Sequence, residues 1–94
     1  MKLLRVEKSD RTGKKWKAVF DNNGRTKTTH FGWAGANDYT LTGDDKARNN
    51  YWTRHQKDLK TNDPTRAGYL SLYLLWNKPT LEASIKDYKK RFDL

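Results

Sequence analysis

Two histidines and three aspartates, His30, His55, Asp38, Asp44 and Asp45, are the side chains from which this chain could build acid–base or metal chemistry. Such chemistry needs its groups at a spacing that one helix face or one turn can present. The chain has no H-x-x-x-H, no D-x-D and no H-N-H-like string. Asp44 and Asp45 read as acids of a first helical turn, where they complement the helix dipole. His55 falls on the inner stripe of the same helix and reads as a hydrogen-bonded, partly buried residue. There is no cysteine, which excludes a disulfide framework, a thiolate-held metal and a thiol nucleophile. No Gly-rich phosphate cradle or dinucleotide fingerprint is present either. The expectation is a protein that is not an enzyme and takes no cofactor or metal. A small metal-dependent nuclease using His30 or His55 is the residual alternative.

The basic residues carry the larger signal. The net charge is +9, and residues 1–32 hold nine Lys/Arg against three acids. Residues 33–63 are neutral, with five of each sign, and residues 64–94 hold six against three. Lys14, Lys15, Lys17, Arg25, Lys27 and His30 fall on one stretch that reads as a β-hairpin, with Thr26, Thr28 and Thr29 as neutral hydrogen-bonding neighbours. A two-stranded ribbon of this kind can lie along a nucleic-acid backbone or enter a groove. Its contacts would go to phosphates first and to sequence second. Trp33 and Tyr39 follow the hairpin and could stack on bases or wedge between them. Arg48 and Arg54, on the next helix, support the same surface. The bland reading of each single Lys is a solubilising one; the cluster and its asymmetry are what favour a polyanion.

The elements that must position these residues are legible in outline. Leu4 and Val6 alternate with Arg5 and Glu7, as in a half-buried strand. Ser9 to Gly13 is a turn by composition. Trp16, Ala18 and Phe20 then alternate with Lys15, Lys17, Val19 and Asp21. Asn23-Gly24 suits a two-residue type I′ turn, because both central positions need positive φ. That turn sets Trp16 opposite Phe31, Ala18 opposite Thr29 and Phe20 opposite Lys27. These share one face, while Lys15, Lys17, Val19, Thr28 and His30 share the other. Residues 33–43 have neither strand nor helix period and read as a loop. A helix is expected from about Asp44 to Leu59, with Thr42 and Asp45 as a capping box and Ala47, Tyr51, His55 and Leu59 as its inner stripe. Asp63 is a candidate N-cap, with Pro64 at the first helical position. Gly68 to Trp76 reads as a short buried helix, a buried strand being the competing reading. Thr80 caps a last helix with the stripe Leu81, Ile85, Tyr88 and Phe92 and a basic outer face of Lys86, Lys89, Lys90 and Arg91.

The fold expected is therefore α+β: an N-terminal antiparallel hairpin or three-stranded sheet packed against two or three C-terminal helices. One domain should span residues 1–94, divided into a basic hairpin region (1–32), a loop (33–43) and a helical region (44–94). Four Trp, five Tyr and three Phe can supply a core despite the low apolar content of 34%. No stretch of about 20 apolar residues exists to cross a membrane. The first residues lack the apolar run and cleavage site of a signal peptide, so an intracellular setting is expected. Oligomeric state, monomer or homodimer, is not legible.

Several strings together point to a setting. Thr29-His30-Phe31-Gly32, Asp38-Tyr39-Thr40, Tyr51-Trp52-Thr53-Arg54-His55, Asp63-Pro64-Thr65 and Gly68-Tyr69-Leu70-Ser71 are five of them. Leu75-Trp76-Asn77-Lys78-Pro79-Thr80-Leu81 and Ser84-Ile85-Lys86-Asp87-Tyr88-Lys89-Lys90-Arg91-Phe92 complete the set. Over most of residues 15–92 the chain resembles a family of short basic proteins encoded by nucleocytoplasmic large DNA viruses of algae and amoebae. The resemblance implies a protein of the infected cell, packaged in the virion, binding the packaged DNA or contacting capsid or core proteins. It implies no catalytic residue. His30, Gly32, Asp38, Arg54 and His55 lie in these strings although they are not the obvious core. A polar network tying the loop to the long helix, with Arg54 and His55 bonded to Asp38 or a loop carbonyl, is the preferred account of them, a ligand site the alternative.

The function expected is non-specific binding of duplex DNA through phosphate contacts. The residues assigned to it are Lys14, Lys15, Lys17, Arg25, Lys27, His30, Trp33, Arg48 and Arg54. The alternative is a minor capsid or other virion protein whose basic surface meets acidic protein partners. Reversing the charge of Lys15 and Lys17 is expected to weaken binding without unfolding the domain.

Overall fold

The computed structural model describes all residues from Met1 to Leu94. Three antiparallel strands, β1 (Lys2–Lys8), β2 (Lys14–Asn22) and β3 (Arg25–Trp33), form one sheet in the order β1-β2-β3. The helices follow: α1 (Tyr39–Thr42), α2 (Asp45–His55), α3 (Ala67–Leu70) and α4 (Leu81–Phe92). A 3₁₀ turn (Gln56–Thr61) extends α2, and a π-helical turn (Ser71–Leu75) extends α3. This is the α+β arrangement expected from the pattern.

The β2–β3 hairpin has the register its turn dictates. Asn23 and Gly24 both have positive φ, 53° and 87°, as a type I′ turn requires. Trp16 pairs with Phe31, Ala18 with Thr29 and Phe20 with Lys27. The Asp21 carboxylate accepts from the Gly24 amide at 2.9 Å and steadies the turn. β1 departs from simple alternation. Its register slips between Leu3 and Arg5. Such an irregularity shifts the phase of the strand by one residue. Leu3, not Leu4, therefore enters the core, and Leu4 is left 54% exposed. Val6 still packs against the core from the strand's second half.

The core lies between the sheet and the C-terminal helices. Ala18, Phe20 and Phe31 of the sheet meet Leu70, Leu74 and Leu75 of the α3 segment and Tyr88 of α4. The segment from Ala67 to Leu75 is helical, as its all-round apolarity suggested, and the buried strand that its shortness also allowed does not form. α4 begins at Thr80, whose hydroxyl accepts from the Ala83 amide at 3.1 Å. Tyr88 is fully buried and donates its hydroxyl to the Pro64 carbonyl at 2.6 Å. Burial holds that hydroxyl well above the ordinary tyrosine range.

Three local readings change. α1 occupies part of the expected loop: the Asp38 side chain accepts from the Thr40 amide and Gly43, at φ 65°, ends the turn. Four residues are too few to show a period, but an Asp and a Gly that bracket one turn are a cap signature. The cap of α2 is Asp44, which accepts from the Ala47 amide at 3.1 Å, while Thr42 accepts from the Asp44 amide instead of capping the helix. Asp63 bonds the amide and hydroxyl of Thr65 in a turn, and α3 starts later, at Ala67. Thr65 thereby holds the Asp63 carboxyl below its usual range.

Candidate nucleic-acid interface

Strand periodicity divides the basic hairpin between two faces. Lys14, Asn22, Arg25, Lys27 and Trp33 alternate in step with Trp16, Phe20 and Phe31, and Lys15, Lys17 and His30 with the opposite face. Lys27 confirms the first set, since its ammonium reaches the buried Thr65 hydroxyl at 2.7 Å and lies 3.9 Å from Asp63. Lys14 and Arg25 stand eight pairing steps or more apart along the hairpin, roughly 26 Å at the rise of a strand.

The opposite face is largely neutralised. Lys17 lies 3.7 Å from Glu7 and 3.6 Å from Asp10. The Asp10 carboxyl is lowered by a backbone hydrogen bond and by Lys17. His30 Nδ1 is 2.7 Å from the Ser9 hydroxyl. Lys15 is withdrawn altogether: its ammonium donates to the Ala36 carbonyl at 2.5 Å and to Asp38 Oδ2 at 2.6 Å. Asp38 is only 1% exposed and also accepts from the amide and hydroxyl of Thr40. Three of the expected contact residues therefore already have partners within the fold.

On the helix side the outcome is mixed. Arg48 donates to the Asn77 carbonyl at 3.0 Å and lies 5.8 Å from both the Tyr39 and the Trp52 rings. It fastens α1, α2 and the segment before α4 together, as does Trp52, whose indole N–H donates to the Trp76 carbonyl at 2.6 Å. Arg54 is exposed and bonds only the Asn50 carbonyl of its own helix, at 3.4 Å. Asp38 is thus tied to Lys15, not to Arg54 or His55.

Arg25 is left without a partner at the hairpin tip, and Lys14 and Trp33 are left together at the other end of the sheet. Lys14 is the Cα partner of Trp33, and its ammonium lies 5.1 Å over the Trp33 ring. Trp33 is 73% exposed, the one large aromatic left in solvent. The β1–β2 turn is bound to the same end: the Lys14 amide donates to the Arg11 carbonyl and the Ala34 amide to the Gly13 carbonyl, each at 3.1 Å. Arg11 was not singled out by the sequence pattern. Its place beside Lys14 follows from that turn, which composition alone had located.

Lys14, Lys15 and Trp33 also line a cleft of about 230 Å³ between the β3–α1 connection and the α2–α3 segment. Inside it a column of rings is stacked: His55 lies 4.1 Å from Tyr51, and Tyr51 lies 4.4 Å from Trp76. Burial raises the Tyr51 hydroxyl above its ordinary range. His55 Nδ1 is 3.3 Å from Asp58 Oδ2. Gly68 makes room for that carboxylate, since a Cβ there would stand 2.8 Å from Asp58 Cβ. Gly32, at φ 78°, has Leu75 and Lys15 close by on the other wall. No group of three His, Cys, Asp or Glu side chains comes together to hold a metal. No helix is long and apolar enough to cross a membrane.

One family model matches the chain, over residues 4–55, and its description is a family of unknown function (DUF5754). The matched span runs from β1 through α2, so it contains Lys14, Trp33, Lys15–Asp38 and the Tyr51–His55 part of the cleft. No curated protein and no solved structure matches the chain.

Proposed function

The chain belongs to that family of unknown function, DUF5754, and on this premise we propose that it binds nucleic acid, duplex DNA foremost, mainly through phosphates. The observation that carries the reading is the pairing of exposed Trp33 with Lys14, a cation without a carboxylate partner, at one end of a basic sheet. An isolated indole in water is unfavourable in a chain with so little apolar material, and such a ring beside a cation suits an insertion or stacking contact against a nucleic-acid strand. Arg25, roughly 26 Å away at the hairpin tip, lies several Debye lengths from Lys14 at physiological salt. An extended polyanion can engage both at once, whereas a compact anion cannot. The contact set is therefore Lys14, Trp33 and Arg11, with Arg25 and Arg54 as outlying cations. Lys15, Lys17, Lys27, His30 and Arg48 support the surface from within the fold.

The resemblance to proteins of giant DNA viruses supplies a setting in which packaged DNA is the ligand and the virion the location. An acidic protein partner of the capsid or core would use the same cations and could seat Trp33 as an anchor, but it would not need the Lys14–Arg25 spacing that an extended polyanion spans. The deciding experiment is a titration of random-sequence duplex DNA against salt. Binding should weaken with a log–log slope of about −3 for three to four phosphate contacts. Lys14→Glu and Trp33→Ala should each weaken it while leaving the fold intact. Absence of binding at about 50 mM salt, or binding indifferent to salt, refutes the reading.

A further inference from the structure

The cleft beside Trp33 is a built feature that phosphate binding does not use. We infer that it receives a single nucleobase bearing an exocyclic amino group, carried by a nucleotide whose phosphate meets Lys14 at the rim. The inference rests on the nucleic-acid reading above and deepens it. At about 230 Å³ the cleft is smaller than the roughly 300–1,000 Å³ of pockets for drug-sized ligands, so it fits one ring system and not two. Its walls combine apolar surface from Leu75, Ala67 and the two glycines and aromatic surface from Tyr51 and Trp76 with a comparable share of polar and charged side chains, His55 and Asp58 among them.

Those polar groups are held in place before any ligand arrives. The three-ring stack sets the plane of His55, and Asp58 holds its Nδ1. Asp58 is in turn seated against Gly68, where no side chain would fit. Asp58 commits Oδ2 to His55 and makes no hydrogen bond through Oδ1. A carboxylate oxygen is an acceptor, so it recognises the amino group of adenine, cytosine or guanine. Uracil and thymine present carbonyl oxygens on the same edge and would meet it with repulsion. Lys15, already bonded to Asp38 and Ala36, braces one wall without itself serving the ligand. Lys14 at the mouth is the cation available for the phosphate.

The test is an amide and indole chemical-shift titration of the isotopically labelled protein with AMP, UMP, adenosine, ribose 5-phosphate and inorganic phosphate. AMP should shift Gly32, Gly68 and the Trp76 indole saturably, and UMP should bind more weakly by roughly tenfold. Ribose 5-phosphate and phosphate should not move those signals. Ala36→Phe, on the exposed connection that lines the cleft, should weaken AMP by roughly tenfold or more, the share that one base contact contributes. Lys14→Ala should weaken AMP but not adenosine, which also serves if Ala36→Phe does not fold. Equal binding of AMP and phosphate, or no shift inside the cleft, overturns the inference. A duplex titration of the same samples separates the two ideas. Duplex binding with no AMP response refutes the cleft alone. Absence of duplex binding by the unsubstituted protein at low salt refutes the broader reading.

Discussion

Lys15→Met and Lys17→Met remove the same charge from neighbouring positions on one face of β2, yet they should differ severalfold in cost. Lys15 holds Asp38 at 2.6 Å, and the two side chains are 16% and 2% exposed. Breaking a buried pair by removing one partner costs about 3–5 kcal/mol, because a desolvated charge is stranded. Asp38 keeps its bonds from Thr40, and Lys15 is not fully enclosed, so the lower end, about 3 kcal/mol, is expected. A domain of this size has roughly 5–14 kcal/mol in total. The melting temperature should fall by about 12–24 °C. Lys17 faces Asp10, which is 78% exposed, at 3.6 Å, and Glu7 at 3.7 Å. Pairs of that kind contribute about 0–1 kcal/mol. Urea unfolding followed by tryptophan fluorescence measures both variants, and Asp38→Asn combined with Lys15→Met completes a double-mutant cycle. Equal destabilisation of the two lysine variants, within about 0.5 kcal/mol, would refute the assignment of Lys15 to the fold. The same geometry rules on charge reversal. Lys15→Glu would set a second carboxylate against buried Asp38 and unfold the chain, so Lys14→Glu is the variant that tests binding.

Acid should destabilise the protein through Asp63 and Asp87. The Thr65 hydroxyl lowers Asp63 against an opposing burial effect, and at Asp87 burial opposes ionisation but bonds from Asn77 and Arg91 outweigh it. Both folded carboxyls thus lie below the unfolded value of about 3.9. Their contribution is complete above that value and is lost as pH falls through the folded ones. Urea midpoints between about pH 6 and pH 2 should show this decline, and Asp87→Asn should flatten part of it. Tyr88→Phe leaves the Pro64 carbonyl without its donor and should cost about 1–3 kcal/mol by chemical denaturation. In the parent, a spectrophotometric alkaline titration should leave Tyr88 protonated until the chain unfolds. Thr80→Ala removes the α4 cap and should cost about 1 kcal/mol, read as a lower urea midpoint with unchanged slope.

The expected elements that recur in the structure are those whose causes are local. Asn23-Gly24 needs no distant residue to adopt positive φ, so it sets the Trp16–Phe31 register by itself. Thr80 and the Leu81, Ile85, Tyr88, Phe92 stripe lie within one helix, and the helix forms where they place it. The departures have non-local causes. Leu4 alternates as well as Leu3 in the sequence, and only pairing with β2 selects Leu3 for the core. α2 buries no residue completely and gives way to a 3₁₀ turn after His55, short of the Leu59 that its stripe reaches, while Arg48 and Trp52 fasten it to Asn77 and Trp76.

The candidate surface divides in the same way. The sequence by itself determined how many cations lie on the hairpin and which strand face each one takes, because strand alternation is a two-residue rule. It could not determine which of them are free. Lys15 meets Asp38 across 23 residues, and Lys27 meets Thr65 across 38. Those pairings exist only once the β3–α1 connection and the turn before α3 have folded back onto the sheet. The tertiary structure therefore decided that Lys15 and Lys27 hold the fold while Lys14 and Trp33 face outward. It also assembled the cleft, since Asp58, Gly68 and Trp76 come together only through packing.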